Sequence, residues 1–574
     1  MALVLHKSNR TERLVDALAG ILAQPLASVF QSEWVTVSSP GMERWLSMEL
    51  AKRLGVWANP AFPFPRKLVE FTLGALLPDS REGPQAYDPT CMLFGIARLL
   101  RERALDPRFA AVQHYCADDE LGRRRLALAQ RLADLFDQYV TYRPELVLQW
   151  AAGAGEGFQA ALFHALANSH GPHHMAGRAQ AALQQLAAGA LPPRLPERLH
   201  LFGVSTLPPL YVDILAALGQ RIDVHLFLLS PSREYYGDLR PARARRSRSR
   251  KRQLSFGDPA FRIEPHALLA SLGRHGREFQ ELLEERTQYR DGSPDLYADP
   301  GCDSLLHAVQ SDLLALRTRG TGMADASRLP LHAADHSLSI HACHGPMREV
   351  EVLHDQLMQL ISERNIEPHE IIVMTPNISA YAPVIDAVFS QADQQRPVIP
   401  FRIADRGVAE TEPLIAALEA LLDVLQGRFG ANQVLDLLGI DLVRTRFGIA
   451  PDQVDTLRGW VEQSGIRWGV DAEHRAEVGQ PACPDNTWRF GLERLALGYS
   501  TGAPPEQLFV GSAPAAIESA DGPLLGCFLE FCGQLFAFRR DFLPPATPAL
   551  WSERFARLLD AFFGGELASS AEHK

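Results

Sequence analysis

The chain has 574 residues, enough for about three or four domains and a large buried core. Hydrophobic residues make up 46% and charged residues 22%, which excludes a disordered chain. The formal charge of −11 excludes a generally basic nucleic-acid coat, so any contact with nucleic acid has to be local, in a channel or patch.

Leu3-Val4-Leu5 reads as a short strand, His6 to Arg10 as its turn, and Thr11 to Leu22 as a helix with Leu14, Leu18, Ile21 and Leu22 on one face. A P-loop NTPase would carry GxxxxGK[ST] at this turn, with glycines to wrap the phosphates and a lysine to bind them. Here the turn has one lysine and no glycine, and GK[ST] occurs nowhere in the chain. In WVTVSSPGMERWLSMELAKRLG, residues 34–55, Val35 and Val37 alternate as in a strand. Ser39 is then placed to cap a helix opening at Pro40, and Gly55 to stop it. A strand that turns directly into a helix leaves free N–H groups and the positive end of a dipole at the turn, which suits a phosphate. Arg44 lies in the first turns of that helix. Next comes an extended, proline-spaced stretch ending in Phe62 and Phe64. They fall two apart, pointing the same way, and suit either core packing or stacking on bases.

The spacing predicts a long helix over residues 121–143, with Leu128, Leu132, Leu135, Phe136 and Tyr139 on its apolar face. Gln130, Asp134, Asp137, Gln138 and Thr141 share the polar face. Carboxylates accept from cytosine N4 and glutamine pairs with adenine, although a solvated face is the commoner role. GPHHM at 171–175 reads as surface, because adjacent histidines do not face one metal from a helix. Arg178 follows on a helix running to Leu186. His200 to Val204, a helix to Leu218 and Ile222 to Leu229 make a βαβ unit of an open sheet. Its first strand ends in Phe202-Gly203-Val204-Ser205 and lacks the acidic pair that holds magnesium in an ATPase. RPARARRSRSRKR at 240–252 is a basic run, read as a solvated loop or a phosphate grip, and 318–334 as a linker. Alternating α/β patterning resumes at His336. Strands are expected at Leu338–Ala342, Glu370–Thr375 and Pro400–Ile403, before a mostly helical remainder. The seven cysteines are dispersed without CxxC or zinc spacing, no signal-peptide core opens the chain, and no apolar run reaches transmembrane length. A reduced cytoplasmic protein is the expectation.

Several segments, in order along the chain, together carry a resemblance: SNR at 8–10, SSPGMERWLSMEL at 38–50, DLFDQYVTYRP at 134–144, FGVSTLPPLY at 202–211, CHGPMREVEVLHD at 343–355, SGIRWG at 464–469 and TWRFGL at 487–492. The chain resembles the N-terminal half of the RecC family, the gamma subunits of RecBCD-type exodeoxyribonuclease V. The family extends beyond the equivalent of Lys574 into a nuclease-like domain, so a shortened form is expected. The resemblance implies an α/β fold of inactive superfamily-1 helicase-like domains, parallel sheets with large helical insertions. Domain 1 would span 1–335, with sheet segments at about 1–75 and 196–335 and a helical insertion at about 76–195. Domain 2 would start at 336, with a sheet to about 426 and a helical insertion at about 427–574; Tyr381 falls where active helicases carry an ATP-touching arginine.

The resemblance also implies a function. The chain would be a non-motor subunit that splits the duplex and scans the 3′-ended single strand for the hotspot Chi in double-strand break repair. RecB-like (beta) and RecD-like (alpha) subunits would be its partners and would use ATP and Mg. No cofactor, metal or catalytic residue is expected in this chain. By motif match the DNA-binding surface would include Ser38, Pro40, Arg44, Phe64, Glu70, Asp134, Leu135, Asp137, Gln138, Arg143 and Arg178. The best-known members carry glutamine, threonine and glutamine where this chain has Ser38, Pro40 and Arg44, and tryptophan where it has Glu70. The alternatives are a scaffold that only holds partners and an autonomous superfamily-1 helicase, which the missing ATP motifs oppose.

Overall fold

The computed structural model describes residues 2–571 except 29, 78–83, 104–105, 120–121, 193, 238–265, 293–294, 320–328, 331, 391–398, 405–411, 503–506 and 510–511. The basic run at 240–252 lies outside the described residues, as does most of the expected linker. Contacts divide the chain into two units, Met1–Ser339 and Ile340–Lys574.

The first unit is built on a six-stranded parallel sheet. Its strands are β1 (Leu3–Ser8), β2 (Glu33–Thr36), β3 (Pro60–Ala61), β4 (Arg198–Phe202), β5 (Asp223–Leu229) and β6 (Tyr289–Asp291), in spatial order β3-β2-β4-β5-β1-β6. Parallel strands need crossover helices, and helices on both faces bury the sheet. Strand register separates the two faces cleanly. Leu3, Leu5, Leu199, Leu201, Val224 and Leu226 point into one core cluster, packed under the helix Pro209–Gly219. Val35, Phe202 and Phe227 point into the other, beneath α1 (Thr11–Leu22) and α2 (Pro40–Leu54), where Leu14, Leu18, Leu46 and Leu50 are fully buried.

Three histidines share that second face. His6, His200 and His225 come from adjacent strands, with His6 Nε2 3.2 Å from His225 Nδ1 and the His200 and His225 rings stacked at 5.3 Å. Burial holds His6 and His225 down at about 4, helped by mutual repulsion with His200, and also lowers His200 against the pull of Glu33. The layer is therefore neutral at physiological pH.

Between β3 and β4 the chain leaves the sheet. It forms α3 (Pro65–Leu76), α4 (Pro89–Glu102), α5 (Ala110–Tyr115), α6 (Arg123–Tyr142), α7 (Pro144–Ala151), α8 (Gly157–His170) and α9 (Met175–Ala187). Residues from α4 to the start of α9 bury their own core around Phe109, Phe136 and Phe163. On α6 the expected apolar residues Leu132 and Phe136 are buried, but Thr141, expected on the polar face, is buried too, its hydroxyl donating to the Asp137 carbonyl at 3.0 Å. His174 is likewise not at the surface. It is buried as the N-cap of α9, its Nδ1 accepting from the Gly177 N–H at 3.1 Å, and burial pushes its pKa down to about 4.

The second unit has a large helical core. Trp488 is fully buried there and donates Nε1–H to the Phe429 carbonyl at 2.8 Å. The helices Pro346–Arg364 and Ile378–Phe389 pack on a smaller cluster around Val350, Leu357 and Phe389. The second sheet expected between 336 and 426 is not formed among the described residues. Residues 339–343, 371–375 and 399–404 belong to no helix or strand and have no ladder partners among the described residues, and Ile340, Ile372 and Met374 are 92%, 81% and 86% exposed. Apolar, strand-prone sequence becomes a sheet only when neighbouring backbones satisfy its N–H and C=O groups.

Candidate nucleic-acid interface

Three places at the C-terminal edge of the sheet and beside it bear on the expected function, and the first and third contain expected site residues. The first is the turn from β2 into α2. Val37 is buried, whereas Ser38, Ser39 and Pro40 are exposed. Ser39 Oγ accepts from the Met42 N–H at 3.2 Å, Pro40 sets the first helical φ, and Gly55 ends the helix at φ +78°, a positive φ that favours glycine. Met42 packs over Gly203 in the turn after β4, where a Cβ would sit 3.3 Å from its methyl carbon. Arg44 is exposed one turn into the helix. Phe62 and Phe64 part company: Phe62 packs against the core under α2, while Phe64 is 36% exposed at the N-cap of α3. Strand β3 ends at Ala61 and α3 opens at Pro65, so the regular strand alternation behind a shared direction does not extend over residues 62–64.

The second place is the turn after β1, where a P-loop would hold phosphates. Ser8 Oγ donates to the Leu296 carbonyl at 2.8 Å and accepts from the Arg10 N–H at 3.0 Å. The Asn9 amide makes a reciprocal pair with Ala298, at 2.8 and 2.9 Å, and Arg13 donates to the Tyr297 carbonyl at 3.1 Å. The backbone of residues 296–298 thus takes up the polar side chains of Ser8, Asn9 and Arg13 at the turn into α1.

The third place is a cavity of about 520 Å³ formed where α3, α4, α6 and α9 meet. Arg66 and Glu70 from α3, Asp137 from α6 and Arg178 from α9 line it, with Tyr87 and His174 on its inner wall. Arg66 is the hub. Its Nη1 and Nη2 donate to the two Asp137 oxygens at 2.8 and 2.9 Å, and its Nε donates to Glu70 at 3.0 Å. These carboxylates raise the Arg66 pKa. Arg178 is the opposite case. It is 9% exposed, its Nε has no partner among the described residues, and burial lowers its pKa against the weaker pull of Glu70. A guanidinium held this way favours an arriving anion or carbonyl. The Tyr87 hydroxyl donates to the Gly171 carbonyl at 2.6 Å, and burial pushes its pKa up to about 12.

Of the expected site residues, the structure brings Glu70, Asp137 and Arg178 into one cavity from three separate segments. Asp134 and Gln138 are exposed on α6 one turn before and one residue after Asp137; Leu135 is half-buried, and Arg143 is exposed at the end of α6. Ser38, Pro40, Arg44 and Phe64 do not line the cavity. Arg66, Tyr87 and His174 were missed. The i, i+4 spacing of Arg66 and Glu70 was readable as an ion pair on a helix, but nothing in the sequence links Arg66 to a carboxylate 71 residues later. Among the described residues no group of His, Cys, Asp and Glu is arranged to hold a metal ion, and no helix is long and apolar enough to cross a membrane.

The fold is therefore a mixed α/β one, a parallel sheet with a large helical insertion and a polar cavity beside it. Residues 3–316 match the model of the RecC N-terminal domain, and residues 411–573 that of the RecBCD enzyme subunit RecC fourth domain. The chain belongs to the RecC family. It is similar to the RecBCD enzyme subunit RecC of Escherichia coli strain K12, with 35% identity over 86% of this chain and 48% of that protein. The RecC of Mycolicibacterium smegmatis is also 35% identical, over 87% of this chain and 46% of its own length; that of Haemophilus influenzae is 30% identical over 98% and 54%. The chain spans about half the length of the curated relatives it matches.

Proposed function

We propose that this chain is a non-motor, DNA-guiding subunit of a RecBCD-type helicase–nuclease acting in the cytoplasm in double-strand break repair and recombination. RecB-like and RecD-like subunits are its partners and bring the ATP, the Mg and the nuclease, while this chain contributes no catalytic group. Residues 1–335 act as a helicase-like domain that has lost its motor. The bonds between the Ser8, Asn9 and Arg13 side chains and Leu296–Ala298 support that reading, because they tie the turn into α1 to the protein's own backbone where an ATPase would keep a glycine-rich loop for phosphate.

The single strand passes the Ser38–Arg44 turn and Phe64 and meets the polar face of α6. The observation that carries this reading is the convergence of Glu70, Asp137 and Arg178 on one cavity in a chain of the RecC family. Arg44 and Arg143 hold phosphates, Phe64 stacks on a base, and Asp134 and Gln138 accept and donate at base edges. The test is reconstitution. The chain is co-expressed with the beta and alpha subunits of its own organism, and the complex is assayed for degradation of duplex ends with and without it. Co-purification and a chain-dependent change in unwinding or cutting position are expected. A chain that co-purifies but leaves the complex unable to bind single strands would favour the scaffold reading.

A further inference from the structure

Asp134 and Asp137 lie one turn apart on α6, and the structure gives them unlike surroundings. Asp134 is exposed and has no ion-pair partner among the described residues. Both oxygens of Asp137 are taken by the Arg66 guanidinium, and that guanidinium is held at its Nε edge by Glu70. A carboxylate reads cytosine by accepting from its N4 amino group. Asp137 has its best acceptor positions turned to Arg66. The two N–H groups left on Arg66 diverge, so the guanidinium cannot present a fork to guanine while it stays paired. The ion pair sits at the mouth of the cavity, with Arg66 and Glu70 each 45% and Asp137 22% exposed, so water reaches it and a strand can compete for it.

We propose that Arg66 is a specificity-determining residue of this surface: it withholds Asp137 from the bases, leaving Asp134 as the open carboxylate, and Asp137 in turn withholds Arg66 from the phosphates. This deepens the strand-binding reading above and rests on it. The pair works as a mutual block, so its two halves have opposite effects when removed. Arg66→Ala frees an acceptor and adds a preference for cytosine over thymine at one position, on the order of tenfold, equivalent to about 1.4 kcal/mol. Arg66→Lys keeps the charge but cannot bind both oxygens at once, and falls between. Asp137→Ala removes one negative charge and releases the Nη edge of Arg66, whose Nε stays on Glu70, which tightens binding to every sequence and steepens its salt dependence by up to about one phosphate contact.

The test is fluorescence anisotropy of the full chain with labelled single-stranded oligonucleotides, homopolymeric and with cytosine or thymine at each position in turn. It is run at several salt concentrations for the wild type and the three variants, with thermal melting as the control for folding. The expected result is a new cytosine preference in Arg66→Ala and tighter, more salt-sensitive, sequence-blind binding in Asp137→Ala. Wild-type binding with both variants weakened alike, or with neither changed, would overturn the block while leaving strand binding in place. A wild type that binds no oligonucleotide would overturn the strand-binding reading and the block with it.

Discussion

Acidification should loosen the first unit through the layer formed by His6, His200 and His225. The pKa of His6 and of His225 falls from an ordinary 6.5 to about 4 on folding, because the neutral rings are buried and face one another. At about 1.4 kcal/mol per pKa unit, each contributes a pH-dependent term on the order of 3 kcal/mol. The two are coupled, so the terms do not add in full. The sign follows from the depressed values. Above about pH 6.5 both states carry neutral rings and stability is complete; between 6.5 and 4 the unfolded chain binds protons that the folded one refuses, so stability falls with pH. Glu33 adds to this below about pH 4.5: burial would raise its carboxyl, but its bonds to His200 and Arg198 hold it below the usual range, so the unfolded chain takes up that proton first as well. Hydrogen exchange of the β1 and β5 amides between pH 7.5 and 4.5, corrected for intrinsic rates, reads the effect without mixing in the second unit. His6→Phe, which keeps the stacking on Phe227 at 4.5 Å, should flatten the pH dependence. An unchanged slope in that variant would refute the assignment.

Three other outcomes are expected. Trp488→Ala should cost about 3–5 kcal/mol in chemical denaturation followed in the second unit, because it empties a fully buried site and strands the Phe429 carbonyl. Ser39→Ala should cost about 1 kcal/mol through the lost cap on α2, seen as a lower melting temperature and faster exchange at the Met42 amide. Asp134→Ala should leave overall single-strand affinity nearly unchanged but remove about 1–3 kcal/mol of discrimination between bases at one position, measured by competition between oligonucleotides.

The first unit was largely legible in the sequence because its elements carry local signals. Helix 11–22 and the Ser39-Pro40 opening of α2 follow from apolar spacing and capping, and the βαβ unit ending at Leu229 follows from two apolar runs around a helix. The short strands β3 and β6 were not legible. Two and three residues long, they exist only because β2 and β1 offer them backbone groups to pair with. The same dependence explains the second unit. Ile371–Thr375 has strand-forming residues, but no described neighbour pairs with it. The site was legible by type and not by pairing. The polar face of α6 could be listed from its spacing, but which of its carboxylates is open depends on Arg66, which reaches it from another helix. His174 was misread because a histidine between a proline and a helix looks solvated until its ring is seen to cap that helix.

The most direct test of the central claim places a photo-crosslinking phenylalanine analogue at Phe64, 36% exposed beside the candidate surface, and at Tyr499, 46% exposed in the second unit. Each variant is reconstituted with the beta and alpha subunits and irradiated on a duplex whose 3′-ended strand carries the label. The account predicts that the labelled strand crosslinks at position 64 and not at position 499. A complex that degrades the duplex normally while position 64 captures no strand would contradict it.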